Sequence, residues 1–451
     1  MFENNKIFIL GFARSGYEAA KLLAKRGNKI IINDMKEEQD QEKVLELKQL
    51  GVEVILGSHP DDLLDNTFDY LIKNPGVPID HKYVLKAKEI GVEVINEVEM
   101  AYRLLPNDVT LIGITGTNGK TTTTTLIYEM IKDSGKRVHL TGNIGYPLCS
   151  FLEKLEKDDI IVMETSCQQL ENLDKFNPHI AVMTNLSPAH IDFLKSYDNY
   201  KRVKAKIFQN QTKDDIAILN IENSDVMAVT KNIKSTIKYF SSKNVINGCY
   251  IKEEAIYYYD EKIINLEDIK LVGAHNYENI MAAIMVVKEL GIGNDSIIEV
   301  LKTFSGVEHR LEFVREYNGR LFYNDSKATN IKSTQIALSS FDKPIILLLG
   351  GMERGQDFYE LKDYMSHVKM IVCFGENKNR IKEFGDNLMI ETKVNNNLIE
   401  AIDDAYKNSD IGDIILLSPA SASWDQYKCF EDRGTEFKEH VLKLGESDEN
   451  Q

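Results

Sequence analysis

Short runs rich in apolar residues recur along this chain, and most precede a stretch whose apolar residues repeat with helical spacing. The first segment has five such runs, at residues 6–10, 29–33, 52–56, 68–72 and 92–95. A strand buried on both faces of a parallel sheet appears as an apolar run, because neither face meets water. Strands that alternate with helices indicate βαβ units. The pattern therefore predicts an α/β protein with mostly parallel sheets.

The same alternation continues beyond residue 108. The later runs lie at residues 109–114, 137–140, 159–163, 179–183, 311–314, 321–323, 344–349, 370–374 and 413–417. A chain of 451 residues is too long for one ordinary core, so we expect about two to three domains. Turn-forming residues at 106–108 mark one boundary, and we predict three domains at residues 1–107, 108–308 and 309–451. Rossmann-like first and last domains would flank a central domain similar to P-loop ATPases.

The most informative motif is Thr-Gly-Thr-Asn-Gly-Lys-Thr at residues 115–121, between an apolar run and a helix-like stretch. A strand, a glycine-rich turn and a helix N-terminus form an arrangement whose backbone N–H groups bind phosphate. Lys120 would reach the β- and γ-phosphates, and the Thr121 hydroxyl would bind Mg²⁺. The usual spacing has a glycine at position 114, which is isoleucine here, so Gly116 must supply the flexibility. The competing interpretation is an ordinary strand-to-helix turn.

The first segment carries a weaker nucleotide motif. Residues 11–16, Gly-Phe-Ala-Arg-Ser-Gly, join a predicted strand to a predicted helix, and Asp34 ends the next strand. An acidic residue at that place is typical of a nucleotide-ribose site. Because Ala13 replaces the middle glycine of the dinucleotide pattern, a lone sugar nucleotide is as plausible as a dinucleotide, and a tight turn without ligand is a third interpretation. The Asn-Pro-Gly turn at residues 74–76 offers a backbone that a ligand can approach closely.

Polar side chains follow several strands of the predicted central sheet, namely Asn143, Glu164 and His190. Ligands of an open parallel sheet bind beyond the carboxyl ends of its strands, so these residues are expected to converge on the phosphate loop. Their oxygen and imidazole atoms suit a divalent cation bound to ATP phosphates. Each residue alone also has an ordinary structural explanation. The basic stretch at residues 200–206 is interpreted, from chemistry alone, as a solvated helix face.

The last segment combines scattered cations with a serine-rich turn. Arg310, Lys327 and Arg354 lie near predicted strand ends, and residues 418–423 read Ser-Pro-Ala-Ser-Ala-Ser. This set is suited to an acidic partner. Asn318-Gly319 between two strand-like runs predicts a β-hairpin.

Composition narrows the functional classes. Lysine and arginine number 54 against 70 aspartates and glutamates, a formal charge of −16, which argues against a nucleic-acid or membrane-surface partner. The five cysteines show no metal-ligand spacing and fit a reducing compartment. The N-terminus lacks a secretory pattern, and no apolar run is long enough to span a membrane. We therefore expect a cytoplasmic monomer that acts on small molecules.

Together these motifs resemble the Mur ligases, the ATP-dependent amino-acid ligases of cell-wall precursor synthesis, over the whole chain. Residues 116–121, 275–279 and 309–310 look like motifs shared across the family. Residues 324–330 (Asn-Asp-Ser-Lys-Ala-Thr-Asn) and 418–426 (ending Ser-Trp-Asp-Gln) are similar to the more specific motifs of the member that adds D-glutamate. The resemblance implies that D-glutamate is joined to UDP-N-acetylmuramoyl-L-alanine through an acyl-phosphate at the expense of ATP.

The resemblance also implies roles for individual residues. The ATP site would comprise Gly116, Thr117, Asn118, Gly119, Lys120, Thr121, Thr122, Asn276, Asn279, Arg310 and Asp325. The UDP-substrate would lie near Ala13, Arg14, Ser15, Asp34, Asn74, Pro75, Gly76 and Asn143. D-Glutamate would be surrounded by Lys327, Thr329, Arg354, Ser423, Trp424 and Phe430. Trp424 departs from the smaller apolar residue expected at that position.

Metal ligands and catalytic residues follow from the same resemblance. Two Mg²⁺ ions, or Mn²⁺ in their place, would be held by Thr121, Glu164, His190 and Lys204. In the family a lysine that follows a Tyr-x-x-x spacing is carbamylated, which makes Lys204 the candidate and Lys206 the fallback. Lys120, Lys204 and His190 are the implied catalytic residues.

Three rival interpretations remain open on the sequence alone. A regulatory P-loop NTPase would hydrolyse nucleotide without any amino acid. A nicotinamide-dependent oxidoreductase would use residues 1–107, where the middle glycine is missing. Another member of the ligase family would add L-alanine, a dibasic amino acid or a dipeptide.

Overall fold

The computed structural model describes residues 2–188, 194–271 and 273–445. The chain divides into two compact units, residues 1–304 and residues 305–451. In the described residues the first unit holds two sheets and the second unit holds one. Each sheet is mostly parallel and has flanking helices, which confirms the predicted α/β class. The three domain ranges given above stay a prediction.

The first sheet has the order β3-β2-β1-β4-β5, and its strands are parallel throughout. Its strands are β1 (Lys6–Leu10), β2 (Lys29–Asp34), β3 (Glu53–Leu56), β4 (Tyr70–Lys73) and β5 (Glu93–Asn96). Its helices are α1 (Arg14–Lys25), α2 (Gln41–Gln49), α3 (Lys82–Glu89) and α4 (Glu97–Tyr102). The strand order reverses between β1 and β4, and ligands of doubly wound sheets bind at such a reversal.

The second sheet has the order β14-β13-β12-β11-β10-β9-β6-β8-β7. Its strands are β6 (Thr110–Thr115), β7 (Val138–Gly142), β8 (Ile160–Glu164), β9 (Ile180–Met183), β10 (Ile216–Asn220), β11 (Thr236–Ser241), β12 (Gly248–Lys252), β13 (Ala255–Tyr258) and β14 (Glu261–Asn265). The last three form an antiparallel meander, and the other pairings are parallel. The interior strand β6 therefore carries the phosphate loop between the ends of β8 and β9.

Two long helices cover one face of this sheet. The helices in chain order are α5 (Lys120–Asp133), α6 (Cys167–Leu170), α7 (Tyr197–Ala205), α8 (Ser224–Val229), α9 (Ala274–Glu289) and α10 (Asn294–Thr303). Helix α9 packs against α5, and every residue from Asn279 to Val287 is buried. A helix that is apolar on all sides must be enclosed in this way. The buried end of α9 thereby brings Asn279 beneath the phosphate loop.

The unit of residues 305–451 contains a third sheet with the order β15-β16-β20-β17-β18-β19. Its strands are β15 (Glu312–Tyr317), β16 (Arg320–Asn324), β17 (Ile345–Gly350), β18 (Val368–Phe374), β19 (Glu391–Val394) and β20 (Ile414–Leu417). Its helices are α11 (Ile331–Leu338), α12 (Lys378–Asn387), α13 (Leu398–Lys407) and α14 (Phe430–Lys443). The predicted hairpin joins β15 to β16, with φ of 49° at Asn318 and 74° at Gly319. Two positive φ values are what the favoured two-residue hairpin turn requires.

Among the described residues, no helix is long and apolar enough to cross a membrane. The five cysteines are free thiols, and only Cys429 is more than slightly exposed.

Helix α4 ties the first sheet to the second through a buried carboxylate. The Glu99 side chain is fully buried and accepts backbone N–H groups from Asp174, Lys175 and Phe176 at 3.0, 2.8 and 3.2 Å. It also accepts from Arg103 Nε at 2.7 Å. A buried charge is tolerated only when it is paired and hydrogen-bonded, as it is here.

We expect the substitution Glu99→Ala to destabilise residues 1–304. Removing one partner of a buried charge pair costs about 3–5 kcal/mol, because the groups left behind have no water to bind. The thermal midpoint of unfolding, measured by calorimetry, should fall by several degrees. Glu299 is exposed on α10, and Glu299→Ala is the matched control, with an expected change within about 0.5 kcal/mol. Equal midpoints for the two variants would contradict the anchoring role of Glu99.

Candidate active site

The phosphate loop joins β6 to α5 along a path that excludes side chains at two points. Gly116 has a φ of 148° and Gly119 a φ of 79°, both in the range that L side chains rarely adopt. A Cβ atom on Gly116 would collide with Thr184 Oγ1, and one on Gly119 would collide with Asn279 Oδ1. The loop therefore lies directly on the segment after β9 and on α9.

Hydrogen bonds fix the loop on the segment that follows β9. Asn185 accepts from the Thr117 N–H through its carbonyl at 2.8 Å and from the Asn118 N–H through Oδ1 at 2.9 Å. The Thr184 hydroxyl donates to the Asn118 carbonyl at 2.7 Å. Lys120, the first residue of α5, bends back so that its Nζ donates to the Thr117 carbonyl at 2.8 Å. The Lys120 ammonium is thus held over the loop, while Thr121 and Thr122 lie in the first turn of α5.

The two carboxamides of α9 stand below the loop. Asn279 is buried, and its Oδ1 accepts from the Thr123 hydroxyl at 3.4 Å. Its Nδ2 donates to Asn276 Oδ1, one turn earlier, at 3.5 Å. The contacts of Asn279 therefore support the loop, and its predicted contact with adenine stays a prediction.

Asn143 and Glu164 converge beside the loop, as the strand-end argument predicted. Glu164 is the last residue of β8, and its Oε1 accepts from Asn143 Nδ2 at 2.7 Å. Glu164 is 1% exposed, and its Oε2 has no hydrogen-bond partner within the described residues. A buried carboxylate oxygen that accepts no hydrogen bond is able to bind a cation. His190, the third residue of the prediction, lies outside the described residues.

Lys204 is buried beneath the same loop, so the interpretation of a solvated basic face is wrong for this residue. Lys204 lies on α7 at 1% exposure, and its Nζ donates to the Thr115 hydroxyl at 3.3 Å. Burial, and then the charge of Lys120, lower the pKa of Lys204 to about 7. The Tyr200 ring lies 5.1 Å from Nζ, and its hydroxyl is 3.0 Å from Thr117 Oγ1. The sequence spacing does indicate this burial, because Tyr200, Val203 and Lys204 share one helix face.

The turn between β1 and α1 explains why its middle glycine is dispensable. Gly11 needs its φ of 105°, and a Cβ there would lie 2.8 Å from Asn74 Cβ. A Cβ on Gly16 would collide with the Gly11 carbonyl. Ala13 instead precedes α1 with a φ of −58°, which any residue adopts. The glycines that the turn needs for close packing are therefore present.

Asp34 and Asn74 meet this turn at the strand-order reversal. The Asp34 carboxylate accepts from the N–H groups of Phe12 at 2.6 Å and Lys36 at 2.8 Å. Asn74 packs under Gly11, and its Nδ2 is buried without a partner in the part of the chain that the structure describes. Arg14 and Ser15 lie in the first turn of α1, and the Arg14 guanidinium lies 4.7 Å from the centre of the Tyr146 ring. Pro75 and Gly76 lie in the turn after β4.

Lys73 was missed by sequence reasoning. It is the last residue of β4, is fully buried, and donates from Nζ to the Val77 carbonyl at 2.9 Å. Burial lowers the pKa of Lys73 to about 8. This contact fixes the turn that contains Asn74.

In the unit of residues 305–451, three predicted residues share one cleft. Its lining consists of Arg310, Leu311, Asp325, Lys327, Ala328, Ser333, Ile336 and Ala337. Asp325 accepts from the Ser418 hydroxyl at 2.8 Å and from the Leu311 N–H at 3.2 Å. Burial nevertheless raises the pKa of Asp325 to about 7.

The remaining residues predicted for this unit are Thr329, Arg354, Ser423, Trp424 and Phe430. Ser423 is 2% exposed, and its Oγ has no partner among the described residues. Phe430 begins α14, and Lys327 Nζ lies 5.8 Å from its ring. The Thr329 N–H donates to the Lys327 carbonyl at 2.8 Å. Arg354 does not line the cleft, and its guanidinium lies over Trp424.

Arg433 is a second residue that sequence reasoning missed. It is fully buried, and Nη2 donates to the carbonyls of Ser326 at 2.9 Å and Ser421 at 3.1 Å, while Nη1 donates to that of Gly350 at 3.4 Å. It therefore joins the ends of β16, β17 and β20. An arginine in a polar helix gives no sequence signal of such burial.

Family models match most of the chain. Residues 5–96 match the Mur ligase MurD-like N-terminal domain, residues 114–287 the Mur ligase middle domain, and residues 309–421 the Mur ligase glutamate ligase domain.

Similar proteins match at full length. The chain is 46% identical over 446 residues to the UDP-N-acetylmuramoylalanine–D-glutamate ligase of a Geobacillus species (strain WCH70), covering 98% of each chain. It is 43% identical to the ligase of the same name from Bacillus thuringiensis (strain Al Hakam), again over 98% of each. Among solved structures, the fold is similar to the MurC ligase of Thermotoga maritima (TM-score 0.57, 18% identity, 98% and 100% covered). It is also similar to the ADP complex of the MurF ligase from that organism (TM-score 0.54, 17% identity, 98% and 96% covered).

Two glycine substitutions test whether close packing of the phosphate loop matters for nucleotide binding. Gly119→Ala adds a Cβ that displaces Asn279, and we expect it to weaken ATP binding at least about tenfold, measured by calorimetric titration. Gly135, just after α5, has the same φ of 79° but no atom within 4 Å of an added Cβ. Gly135→Ala is therefore the matched control: it carries the backbone strain alone, costs about 1 kcal/mol of stability and leaves the ATP affinity unchanged. Wild-type affinity in Gly119→Ala would contradict the packing argument.

Proposed function

The chain belongs to the Mur ligase family, and on this basis we propose that it is an ATP-dependent ligase that adds D-glutamate to UDP-N-acetylmuramoyl-L-alanine. The observation that carries the proposal is 46% identity to a ligase of that name over 98% of both chains. The product is a peptidoglycan precursor. The domain ranges 1–107, 108–308 and 309–451 would serve the UDP-substrate, ATP and D-glutamate respectively.

The phosphate loop is the proposed ATP site. Its backbone N–H groups at the start of α5 and the Lys120 ammonium form a cationic cradle for the β- and γ-phosphates. Asn276 and Asn279 of α9 would bind adenine. Arg310 and Asp325 are the other residues proposed for ATP. The held position of Lys120 over the loop supports this assignment.

Mg²⁺, or Mn²⁺ in its place, fits the residues beside the loop. Glu164 Oε2, which has no hydrogen-bond partner within the described ranges, and the Thr121 hydroxyl are oxygen ligands of the kind these ions prefer. Within the described residues no group of three or more histidine, cysteine or acidic side chains could hold a metal alone. We therefore infer that Glu164 and Thr121 would hold one ion together with ATP phosphates, and His190 and a modified Lys204 a second. Such ions would neutralise phosphate charge.

We also propose that Lys204 is carbamylated. Only an uncharged amine adds CO₂: its nitrogen forms a bond to carbon, and one proton leaves as the carbamate forms. A pKa of about 7 makes much of Lys204 uncharged at neutral pH, whereas a solvated lysine is almost wholly charged. The carbamate would supply an anionic oxygen ligand in a place where a buried ammonium is poorly tolerated.

The UDP-substrate would bind at the first sheet's strand-order reversal. Asn74, whose Nδ2 has no partner in the described part of the chain, is grouped there with the N-terminus of α1 and with Asp34, and Lys73 holds the Asn74 turn. Ala13, Arg14, Ser15, Pro75, Gly76 and Asn143 are the other residues proposed for this substrate. D-Glutamate would bind among Lys327, Thr329, Arg354, Ser423, Trp424 and Phe430, where the buried Ser423 hydroxyl has no hydrogen-bond partner among the residues that the structure describes.

The reaction has two displacements. A carboxylate oxygen of the L-alanyl group attacks the γ-phosphorus of ATP, and the bond to ADP breaks as the acyl-phosphate forms. The neutral amine of D-glutamate then attacks the carbonyl carbon, the C–O bond to phosphate breaks, and the nitrogen loses a proton to solvent. Lys120 and the loop amides stabilise charge on the transferring phosphoryl group. The substrates are small molecules, and we propose that the protein acts as a monomer.

Phosphate release tests the assignment directly. We expect release from ATP and Mg²⁺ in the presence of UDP-N-acetylmuramoyl-L-alanine to depend on D-glutamate and not on L-glutamate, lysine or diaminopimelate. Release with one of the other amino acids would overturn the choice of D-glutamate. Release that needs neither acceptor nor amino acid would overturn the ligase assignment and favour a regulatory NTPase.

Carbamylation of Lys204 can be tested by ¹³C NMR of the protein in ¹³C-bicarbonate. The folded-state pKa lies below that of free lysine, so the neutral amine, and with it the carbamate signal, should increase as pH rises through about 7. Lys204→Arg should remove the signal and most of the ligase activity. Lys206→Arg replaces the lysine two residues further along the chain and should keep the signal. Loss in Lys206→Arg and retention in Lys204→Arg would move the modification to Lys206.

A further inference from the structure

The loop after β17, residues 351–357, which we call the arginine loop, is fixed to the serine-rich turn at both ends. The Met352 N–H donates to the Ala422 carbonyl at 2.8 Å. Gln356 Nε2 donates to the Ser421 hydroxyl at 2.8 Å. The backbone on either side of Arg354 therefore has a defined position relative to Trp424.

At the tip of the arginine loop, Arg354 itself is exposed, and its guanidinium carbon lies 5.5 Å from the centre of the Trp424 ring. Within the described residues, no carboxylate forms an ion pair with Arg354. The neighbouring acid, Glu353, pairs instead with Arg380 at 2.6 Å. The Arg354 charge is thus left for another anion, and the guanidinium has the indole as a neighbour.

The backbone around Trp424 is hydrogen-bonded within its own turn. The Ser423 carbonyl accepts from the N–H groups of Gln426 at 3.1 Å and Tyr427 at 2.8 Å, which makes one compact turn. The indole is nevertheless 61% exposed, an unusual place for so large an apolar ring. Beside it, the Ser423 hydroxyl is buried without a partner within the described residues. In the part of this unit that the structure describes, an exposed aromatic ring therefore lies beside a cation that has no ion-pair partner, and the residue before that ring has a buried hydroxyl without a hydrogen-bond partner.

An arginine side chain has many rotamers, and holding one of them before the substrate arrives improves binding. The planar guanidinium stacks on an aromatic face, where the ring quadrupole attracts it, and still presents its N–H edge to a carboxylate. A lysine or an unstacked arginine lacks this combination.

We propose that Trp424 is a positioning residue that holds the Arg354 guanidinium by a cation–π contact, so that its N–H edge receives the side-chain carboxylate of the amino-acid substrate. The pair thereby selects an amino acid with an acidic side chain, and the Ser423 hydroxyl is a further polar group for the same ligand. This inference rests on the proposed function, in which that amino acid is D-glutamate.

The test is a double-mutant cycle on the full chain. D-Glutamate is titrated in the phosphate-release assay at saturating ATP and UDP-N-acetylmuramoyl-L-alanine, for the wild type, Trp424→Leu, Trp424→Phe, Arg354→Met and Arg354→Met/Trp424→Leu. Leucine keeps apolar volume without a ring, and phenylalanine keeps a smaller ring. D-Glutamine, which lacks the side-chain charge, is titrated beside D-glutamate.

We expect Trp424→Leu to raise KM for D-glutamate about two- to fivefold, with a smaller change in kcat, and Trp424→Phe to raise it less. The preference for D-glutamate over D-glutamine should fall in Trp424→Leu, while KM for ATP stays the same. In the Arg354→Met background, Trp424→Leu should have no further effect, because the cation that it positions is gone. Tyr364 is an exposed aromatic residue of the same unit, and Tyr364→Leu is the matched control without effect on KM.

An unchanged KM for D-glutamate in Trp424→Leu would overturn the inference. So would an undiminished effect of Trp424→Leu in the Arg354→Met background, since Trp424 would then act without Arg354. If Trp424→Leu does not fold, the same comparisons are made with Trp424→Phe, where equality with the wild type in both KM and acid preference overturns it. A wild type without D-glutamate-dependent release would instead refute the proposed function.

Discussion

The phosphate loop rests against its neighbours at two glycines where no Cβ atom fits, and much of the first unit's arrangement follows from this contact. Gly116 contacts Thr184, which follows β9, and Gly119 contacts Asn279 of α9. The same strand, β6, pairs with β8 on its other side, so Glu164 is placed beside the loop. Close backbone packing thus sets the distances among a cationic loop, a buried carboxylate and a buried lysine.

Buried ionisable groups cluster at the strand ends of all three sheets. Lys73, Lys204, Asp325 and Arg433 are each enclosed and are held mainly by carbonyl or hydroxyl dipoles in place of opposite charges. Burial is the first cause of the pKa shift in every case. Such groups lower the stability of the isolated fold, and groups of this kind concentrate where ligands or chemistry need them.

Local sequence determined much of the fold, because apolar runs and turn residues act over short distances. The Asn318-Gly319 hairpin, the strand ends at Asn143 and Glu164, and the loop before α5 could all be predicted. The meander of β12 to β14 could not, since its short strands mix polar and apolar residues. The polarity of residues 200–206 predicted a solvated helix face, whereas Lys204 is buried. Nothing in the sequence indicated that Lys73 and Arg433 are buried. Whether a charge is enclosed depends on elements far apart in sequence, as does the contact between Arg354 and Trp424.

The Glu99 anchor has a consequence for how this protein can be divided. A turn at residues 106–108 separates the first sheet from the second sheet along the chain. The last helix of the first sheet nevertheless binds backbone N–H groups of residues 174–176 through Glu99. A fragment ending at residue 107 would expose the Glu99 carboxylate with only Arg103 to bind it, and the backbone N–H groups of residues 174–176 would lose their acceptor. In a recombinant joined at this turn, a first sheet that lacks an acid at position 99 would leave the same three N–H groups without this acceptor. The boundary near residue 304 is therefore the better place to divide this chain or to recombine it with a relative.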